Sequence, residues 1–252
     1  MSQAEIKSPE EIALMRKAGR IVSEILDALE KAVAPGVTTW ELDALAEQLI
    51  AEKGARPAFK GYLGFPCVLC ASINEEVVHG IPSRKRKLVE GDLMKLDFGV
   101  SYKGWFGDSA RTVPVGKVSA AAQALVDATR ESLHKAIQVM RPGNRIGDIG
   151  QAVQRHVEAR GYSVVRDFTG HGIGRKLHEH PHVPNHGQAG GGMKLRPGMV
   201  LAVEPMVNQG TYEVELLEDD WTAVTADGKL SAHFEHTILI TDSGAEILTR
   251  SA

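Results

Sequence analysis

Two segments of the chain, residues 34–54 and 141–161, align with each other without a gap, at an offset of 107 positions. Each segment opens on Pro-Gly, continues with apolar residues at helical spacing and ends on a glycine. Pro-Gly before a helix is common, so a few matches of this kind also arise by chance. A duplication of the chain would constrain its fold more than any other feature. The matched pairs are Pro35 and Pro142, Gly36 and Gly143, Leu42 and Ile149, Ile50 and Val157, and Gly54 and Gly161.

The same offset also relates two acidic residues. It places Gly91 on Gly198 and Asp97 on Glu204, and each acid follows its glycine by six positions. This second agreement favours a duplication over chance. We therefore predict an α/β (α+β) fold of two similar halves, related by a pseudo-two-fold axis, around a central antiparallel sheet. Asp97 and Glu204 would then approach each other from opposite halves.

The order of local patterns agrees with two halves of one domain. Residues 8–11 (SPEE) and 38–41 both carry capping-box signals for helix starts. No Ser- or Gly-rich linker divides the chain, so we predict a single catalytic domain, 1–252, with halves of approximately 8–116 and 117–250. Helical patterns cover about 8–34, 38–53, 119–140 and 145–160, and strand-like runs are CVLCASI, LMKLDFGV, ARTVPV, SVVRDF, MVLAVEPMV, WTAVT and HFEHTILIT.

Composition and charge argue against several classes of protein. Hydrophobic residues make up 43% of the 252 residues, as in globular proteins with a substantial core, and the net charge is −3. Nucleic-acid binding needs a concentrated basic face, and the one basic run, residues 84–87, is interpreted as a solvated loop. No apolar run approaches the about 20 residues that span a bilayer, and the N-terminus lacks an apolar signal core. We therefore predict a cytoplasmic protein with no nucleic-acid substrate and no membrane.

Four acidic residues interrupt segments that otherwise have the pattern of buried strands. Like charges repel strongly at low dielectric constant, so four buried carboxylates need compensating positive charge. An internal network of ion pairs, with Lys95 and Arg111 as the nearest basic residues in sequence, is one solution. One or two divalent cations are the other. The acids are Asp97, Asp108, Glu204 and Glu235.

His171, in the stretch TGHGIG, is the imidazole best suited to join such a site. The glycines around it allow a sharp turn and leave the ring room, whereas their spacing does not fit a dinucleotide-binding loop. Two cations bridged by a solvent molecule would lower the pKa of that solvent and stabilise an oxyanion during hydrolysis. The nearby His180, His182 and His186 lie in a loop broken by prolines, and we interpret them as surface residues.

The two cysteines, Cys67 and Cys70, have the spacing of a redox pair or of half a zinc site. The chain holds no second pair, and the flanking VLCASI has the pattern of a buried strand. We interpret both as buried, reduced thiols.

Five motifs follow one another along the chain: LDFGV with Asp97, GDSART with Asp108, TGHGIG with His171, VEPM with Glu204 and EHTILIT with Glu235. In this order they resemble the metal-ligand motifs of the type I methionine aminopeptidases. The resemblance extends from KSPEEIALMRKAG to GAEILT and includes INEEVVHGIP around His79. The chain has no N-terminal zinc-finger extension and no long insertion between His178 and Glu204, as in the bacterial type I form.

The resemblance implies a pita-bread fold and removal of the initiator methionine from nascent proteins whose second residue is small. Two divalent metal ions (Co, Mn, Fe or Zn) would be held with Asp97 bidentate to one of them and Asp108 and Glu235 bridging both. His171 and Glu204 would complete the second site. A metal-bridged water would attack the scissile carbonyl, with Glu204 as the proton shuttle.

The resemblance also implies roles beyond the metal ligands. His178 would hydrogen-bond the substrate carbonyl oxygen, and His79 would contact the scissile amide or the intermediate. Asn74 and Ser231 match a monovalent-cation site (Na or K). The partners implied are the N-terminal methionine of nascent peptides and the ribosome, and the protein would be a monomer. The residues implied to bind substrate are Phe59, Tyr62, Phe65, Cys70, His79, Leu177, His178 and Trp221.

Four positions depart from the family pattern. Well-studied bacterial members tend to carry Cys, Tyr, Phe and Gln where this chain has Phe59, Phe65, Leu177 and His233. The first three changes retain apolar bulk, and His233 would alter the polarity of the pocket.

Two alternative functions remain open. One is a proline-specific aminopeptidase or prolidase of the same fold, although those enzymes usually carry an additional N-terminal domain. The other is a non-catalytic binding module, although such modules typically lose metal ligands.

Overall fold

The structure, a computed structural model, describes residues 4–250 of the chain. Helices and strands alternate in the predicted order, and each helix lies within two residues of its predicted bounds. The helices are α1 (Pro9–Ala32), α2 (Thr39–Glu52), α3 (Ala120–Val139) and α4 (Ile146–Glu158), with a 3-10 turn at Tyr62–Gly64. The strands are β1 (Arg56–Pro57), β2 (Leu69–Ile73), β3 (Glu76–Val78), β4 (Leu93–Tyr102), β5 (Trp105–Pro114), β6 (Ser163–Val164), β7 (Gly170–Gly172), β8 (Glu179–Val183), β9 (Val200–Val203), β10 (Met206–Asn208), β11 (Val214–Leu216), β12 (Ala223–Thr225), β13 (Ser231–His233), β14 (His236–Ile240) and β15 (Ala245–Ile247).

The first half packs α1 and α2 against a four-stranded antiparallel sheet in which β4 pairs with β1, β2 and β5. Both helices begin at the capping boxes predicted from the sequence, on Ser8 and on Thr38. Helix α1 approaches β5 closely, because a Cβ on Gly107 would lie 2.9 Å from the backbone nitrogen of Gly19. The apolar face of α1 and the inner face of β4 therefore form one continuous core.

The second half packs α3 and α4 against a second core. Its main sheet has five antiparallel strands in the order β15-β14-β9-β7-β8, and a smaller sheet has the order β13-β10-β6. A third small sheet, in the order β11-β12-β3, joins strands from both halves.

The duplicated segments make the same backbone hydrogen bonds at the same offset of 107 positions. Leu88 N donates to Val37 O at 2.8 Å, and Leu195 N donates to Asn144 O at 2.7 Å. The isolated β-bridge between Thr38 and Lys87 likewise has its counterpart in a second bridge. Each of three matched glycine pairs has a positive φ in both copies, which favours glycine at these positions. The second bridge joins Arg145 and Lys194, and the glycine pairs are Gly36 with Gly143, Gly54 with Gly161 and Gly91 with Gly198.

The two halves join at β5. Ala110 and Glu235 exchange backbone hydrogen bonds of 2.9 and 3.4 Å. The hydroxyl of Thr237 donates to the carbonyl of Asp108 at 2.8 Å and accepts from its amide at 3.0 Å. The seam between the halves therefore runs through residues that the sequence singled out as buried acids.

Two predicted strands are each divided in two. MVLAVEPMV forms β9 and β10, with Glu204 and Pro205 between them, and HFEHTILIT forms β13 and β14, with Phe234 and Glu235 between them. Proline has no N–H to donate to a ladder, which favours a break at Pro205. The strands on either side of each break belong to different sheets, so the two acids lie where the chain passes from one sheet to another.

Among residues 4–250, no helix has the length and apolar character required to cross a membrane.

Candidate metal centre

Asp97 and Asp108 come from neighbouring antiparallel strands, β4 and β5. The register pairs Asp108 with Gly99 and Asp97 with Ala110. Side chains two residues apart on a strand lie on the same face of a sheet, so both carboxylates project from one face. A Cβ on Gly99 would come within 3.2 Å of Asp108 Oδ1, so the absence of a side chain there leaves space for that carboxylate.

The other candidate ligands reach the same place from the second half. His171 lies on β7, which pairs with β9, whereas Glu204 and Glu235 lie at the two strand breaks. Ligand atoms of Asp108, His171 and Glu235 all lie within 4.8 Å of one another. His171 Nε2 is 3.6 Å from Glu204 Oε1. One cavity is lined by all five predicted metal ligands, including Asp97.

Burial shifts the pKa values of these acids upward. The pKa of Asp97, Glu204 and Glu235 is raised well above the ordinary range, by burial first and by the neighbouring carboxylates second. Burial raises the pKa of Asp108 to about 7, although a hydrogen bond from the Ser109 amide lowers it. The shifts reflect the cost of crowding like charges in a site of low dielectric constant, which a cation removes.

The imidazole of His171 is neutral, which is the form in which histidine binds a metal. Burial lowers the pKa of His171 to about 3, with the nearby ring of His178 adding to the effect. Its Nδ1 lies 2.9 Å from the carbonyl of Gly172 and donates to it in the neutral ring. Nε2 is thereby left with a free lone pair that faces the carboxylates, as in the metal-bound histidines of other proteins.

The donor set fits divalent cations. Asp97 Oδ1, Asp108 Oδ1 and Glu235 Oε1 are buried and accept no hydrogen bond within the described residues. Buried polar atoms normally have partners, so three unpaired carboxylate oxygens around one cavity indicate a missing positive charge. Four carboxylates and one imidazole are ligands suited to Mn, Fe, Co or Zn. The cluster therefore has the donor atoms and the unpaired oxygens that a divalent metal site requires.

The cavity continues from the metal ligands into an apolar pocket. Cys70 belongs to its wall, and its thiol and that of Cys67 are free and buried, as interpreted from the sequence. Burial raises the pKa of the Cys70 thiol well above its ordinary value, which keeps the thiol protonated and unreactive. All eight residues predicted to bind substrate line this cavity: Phe59, Tyr62, Phe65, Cys70, His79, Leu177, His178 and Trp221.

His178 is held between the pocket and the metal ligands. Its Nδ1 shares a hydrogen bond of 2.7 Å with the hydroxyl of Tyr62, and its ring lies 4.2 Å from that of His171, centroid to centroid. Burial lowers the pKa of His178, and His182 adds to the shift. Burial also lowers the pKa of His79, to about 4. Both rings are therefore neutral at neutral pH.

Sequence reasoning missed several lining residues of the cavity. Phe168 stands directly before the TGHGIG motif, Thr169 is its first residue and Met206 is the last residue of VEPM, so membership of the motifs or adjacency to them was the available signal. Leu63 gave no such signal, because its place in the cavity depends on an unusual backbone conformation with φ +50°. The residue is 81% exposed at the rim of the cavity. The missed lining residues are Leu63, Val78, Phe168, Thr169 and Met206.

Asn74 and Ser231, the predicted monovalent-cation residues, lie side by side with a third residue between their carbonyls. Lys95 is buried, and its Nζ donates to Asn74 O at 2.9 Å and to Ser231 O at 3.0 Å. Burial lowers the pKa of Lys95 to about 7, and the carboxylate of Glu76 opposes this shift. An amino group donates both hydrogen bonds whether or not it carries the extra proton.

His233 does not line the cavity but lies behind it. The residue is 1% exposed, neither ring nitrogen has a hydrogen-bond partner within the described residues, and Nε2 is 4.0 Å from Glu204 Oε2. Among the histidines interpreted as surface residues, His180 and His182 line a second, more open cleft that shares His171 and His178 with the first cavity.

Comparisons with known proteins agree with this site. The sequence profile of metallopeptidase family M24 matches residues 13–242. The chain is 54% identical to the methionine aminopeptidase of Clostridium acetobutylicum, over 97% of this chain and 98% of that protein. The crystal structure of a methionine aminopeptidase from Thermotoga maritima matches with a TM-score of 0.98 and 48% identity, over 99% of this chain and all of that one. A prolidase from Pyrococcus horikoshii matches with a TM-score of 0.80 and 25% identity, over 98% of this chain and 64% of the prolidase.

The chain therefore belongs to metallopeptidase family M24 and, within it, to the methionine aminopeptidases. The predicted pita-bread fold of two related halves is confirmed by the matching structures. The match to a prolidase reflects the same fold, at about half the identity.

Proposed function

We propose that this chain removes the initiator methionine from nascent proteins whose second residue is small. One observation carries the proposal: the carboxylate-rich metal site and the apolar pocket are two ends of a single cavity. An unbranched apolar side chain that enters the pocket would bring its own backbone to the metal ligands. Methionine suits this arrangement because its flexible thioether adapts to an irregular apolar wall and makes favourable contacts with aromatic rings such as Phe65 and Trp221.

Two divalent ions would be held by the five ligands. Asp97 would bind one ion, Asp108 and Glu235 would bridge both, and His171 with Glu204 would complete the second position. When bound, the ions lower the pKa of a water molecule and stabilise negative charge on the carbonyl oxygen of the scissile bond. We propose Co, Mn, Fe or Zn, because carboxylates with one imidazole accept each of these and the supply in the cell decides among them.

Glu204 is the proton shuttle in this proposal. Its carboxylate lines the cavity, and Oε1 is 3.6 Å from His171 Nε2. It would accept the proton of the attacking water and deliver it to the nitrogen of the leaving amine. Its side chain is 13% exposed and lines the cavity, so it can reach both the water and the leaving amine.

His178 would donate a hydrogen bond to the substrate carbonyl oxygen. We propose that the Tyr62 hydroxyl, 2.7 Å from Nδ1, donates to that nitrogen, which would place the proton of the neutral ring on Nε2. A neutral donor of fixed direction stabilises the tetrahedral intermediate without reorganisation during the reaction. His79, which also lines the cavity, would contact the scissile amide or the intermediate.

The position predicted for a sodium or potassium ion has a different occupant in this proposal. We propose that the Lys95 amino group fills it, because Nζ already donates to the carbonyls of Asn74 and Ser231.

The proposed substrate also indicates where and in what form the protein acts. We propose that residues 1–252 act as a single catalytic domain with halves of about 8–116 and 117–250, that the protein is a cytoplasmic monomer, and that it meets nascent chains at the ribosome.

Three peptides test the proposed function against its alternatives. Met-Ala-Ser should be cleaved with Mn, Co or Fe supplied, Met-Lys-Ser and Ala-Pro-Ser should remain intact, and a chelator should abolish cleavage. Cleavage of Ala-Pro-Ser instead would establish a proline-specific enzyme. If Met-Ala-Ser stays intact with each metal, the proposal fails and a binding module becomes the better explanation.

A further inference from the structure

The turn between β7 and β8 carries two residues of the cavity wall. β7 ends at Gly172 and β8 begins at Glu179, so Leu177 and His178 lie at the end of this connection. His178 is tied to Tyr62 on one side. The residue that follows it, Glu179, is tied to the N-terminal segment of the chain.

Glu179 forms a buried ion pair across 172 positions of sequence. Its Oε2 accepts from Lys7 Nζ at 2.6 Å, and the two side chains are 8% and 2% exposed. Its other oxygen, Oε1, accepts from the backbone N–H of Lys176 at 3.0 Å and so closes the turn. One carboxylate thereby connects the N-terminal segment to the backbone of the turn that precedes His178.

The segment before α1 is itself anchored. Lys7 N donates to Gly198 O at 2.9 Å, at the turn that leads into β9. Lys7 Nζ also donates to Glu5 Oε2 at 2.8 Å and lies 5.9 Å from the centre of the Trp105 ring.

Gly174 leaves the space that the ion pair occupies. A Cβ there would come within 2.5 Å of Lys7 Nζ and 2.8 Å of Glu179 Oε1. A side chain at this position would therefore require Lys7 or Glu179 to move from the ion pair.

We propose that Lys7 and Glu179 are positioning residues for His178: the ion pair holds the 174–179 turn so that the imidazole and Leu177 face the substrate. Neither residue lines the apolar cavity that contains Leu177 or supplies a metal ligand in the proposed site, and Glu179 lines the second, more open cleft beside His178. The proposal rests on the function proposed above, because that function supplies the substrate carbonyl oxygen to which His178 would donate. Its physical basis is that a buried charge left without its partner must find water or move, and here the movement would displace the adjoining turn.

The first test is Lys7→Met, which removes the charge and keeps an unbranched stem. Below its melting temperature, with metal content unchanged, we expect kcat for Met-Ala-Ser to fall by about ten- to hundredfold, as a misplacement of about 1 Å does. KM should change far less, because the pocket keeps its apolar wall. The double variant Lys7→Met/Glu179→Gln should have a kcat no lower than that of Lys7→Met alone, because both substitutions remove the same ion pair. The matched control is Arg16→Met, which breaks the exposed Arg16–Glu246 pair of 2.7 Å and should leave kcat unchanged.

The second test does not use activity. In Lys7→Met, amide hydrogen exchange in the peptide that contains Lys176 should accelerate at least tenfold, whereas the amides of β14 should keep their protection. Unchanged exchange in the turn, or acceleration spread evenly over the protein, would overturn the positioning role. A fall in kcat matched by the fraction of unfolded protein would overturn it as well. If wild-type protein fails to cleave Met-Ala-Ser, the proposed function fails, and the exchange measurement still decides whether the ion pair holds the turn.

Discussion

In the proposed function, Glu204 serves both metal binding and proton transfer. Glu204→Gln keeps the shape of the side chain and removes its ability to accept a proton. We expect kcat to fall by about 10²- to 10⁴-fold, the range typical of a lost general acid–base group. The fold should be retained, because the neutral amide relieves repulsion among the buried carboxylates.

Steady-state kinetics with thermal unfolding of the same preparations would measure both effects. Glu215→Gln makes the same chemical change on an exposed strand and serves as the control. Activity of Glu204→Gln close to that of the control would exclude Glu204 as proton shuttle.

If the Lys95 amino group occupies the position predicted for a monovalent cation, the protein should not respond to sodium or potassium. With Nζ already bonded to the carbonyls of Asn74 and Ser231, we expect the same Tm and activity in potassium, sodium and choline chloride at equal ionic strength. Lys95→Ser would remove the side-chain donor to Ser231 O, at about 1–3 kcal/mol, whereas Asn74 O would keep the hydrogen bond of 2.9 Å from the Ser231 amide. The Tm of this variant should therefore fall in choline chloride and partly recover in potassium chloride. A dependence of the wild-type Tm on potassium or sodium would show that an ion, and not the lysine, holds this position.

At the scale of elements, the packing of α1 depends on the absence of side chains at particular positions. A Cβ on Gly19 would lie 2.4 Å from the carbonyl oxygen of Leu248. Gly19→Ala should therefore destabilise the protein by about 1–3 kcal/mol, as overpacking does. This outweighs the gain of about 1 kcal/mol that alanine brings to a helix.

Urea denaturation would measure the change in the free energy of unfolding. Lys17→Ala, at an exposed position of the same helix, should stay within about 0.5 kcal/mol of wild type. Equal stability of Gly19→Ala and wild type would show that the C-terminal segment can shift to admit the methyl group.

The helices were predictable from sequence and the strand breaks were not. Capping boxes and apolar spacing are local signals, and they located all four helices within two residues. The runs around Glu204 and Glu235 were predicted as single strands, but each divides between two sheets. That prediction was wrong because a strand's hydrogen-bond partners come from distant parts of the chain, and apolar alternation does not reveal where those partners change.

At the scale of the whole molecule, the residues of the proposed metal site come from both halves, so bound metal should affect stability as well as activity. Removal of metal leaves four carboxylates in one buried cluster. We expect protein at about 100 times Kd of manganese to gain about 2.7 kcal/mol over chelator-treated protein. Thermal unfolding in both conditions would measure this difference. The Tm of Asp108→Asn should respond much less to manganese than that of the wild type. A wild-type Tm that is the same with and without metal would argue against metal binding at the seam.

The sequence by itself determined the duplication, the two-half architecture and the set of acids and histidines from which the site is built. These features follow from local composition and from a repeated pattern, and both can be recognised in the sequence without knowing which residues are in contact. Only the tertiary structure decided which atoms meet: Lys95 at the carbonyls of Asn74 and Ser231, the Tyr62 hydroxyl at His178, and Lys7 at Glu179. Each of these contacts joins residues far apart in the chain, or a side chain to a backbone atom of another strand. They depend on the packing of the two halves, and no spacing in the sequence encodes them.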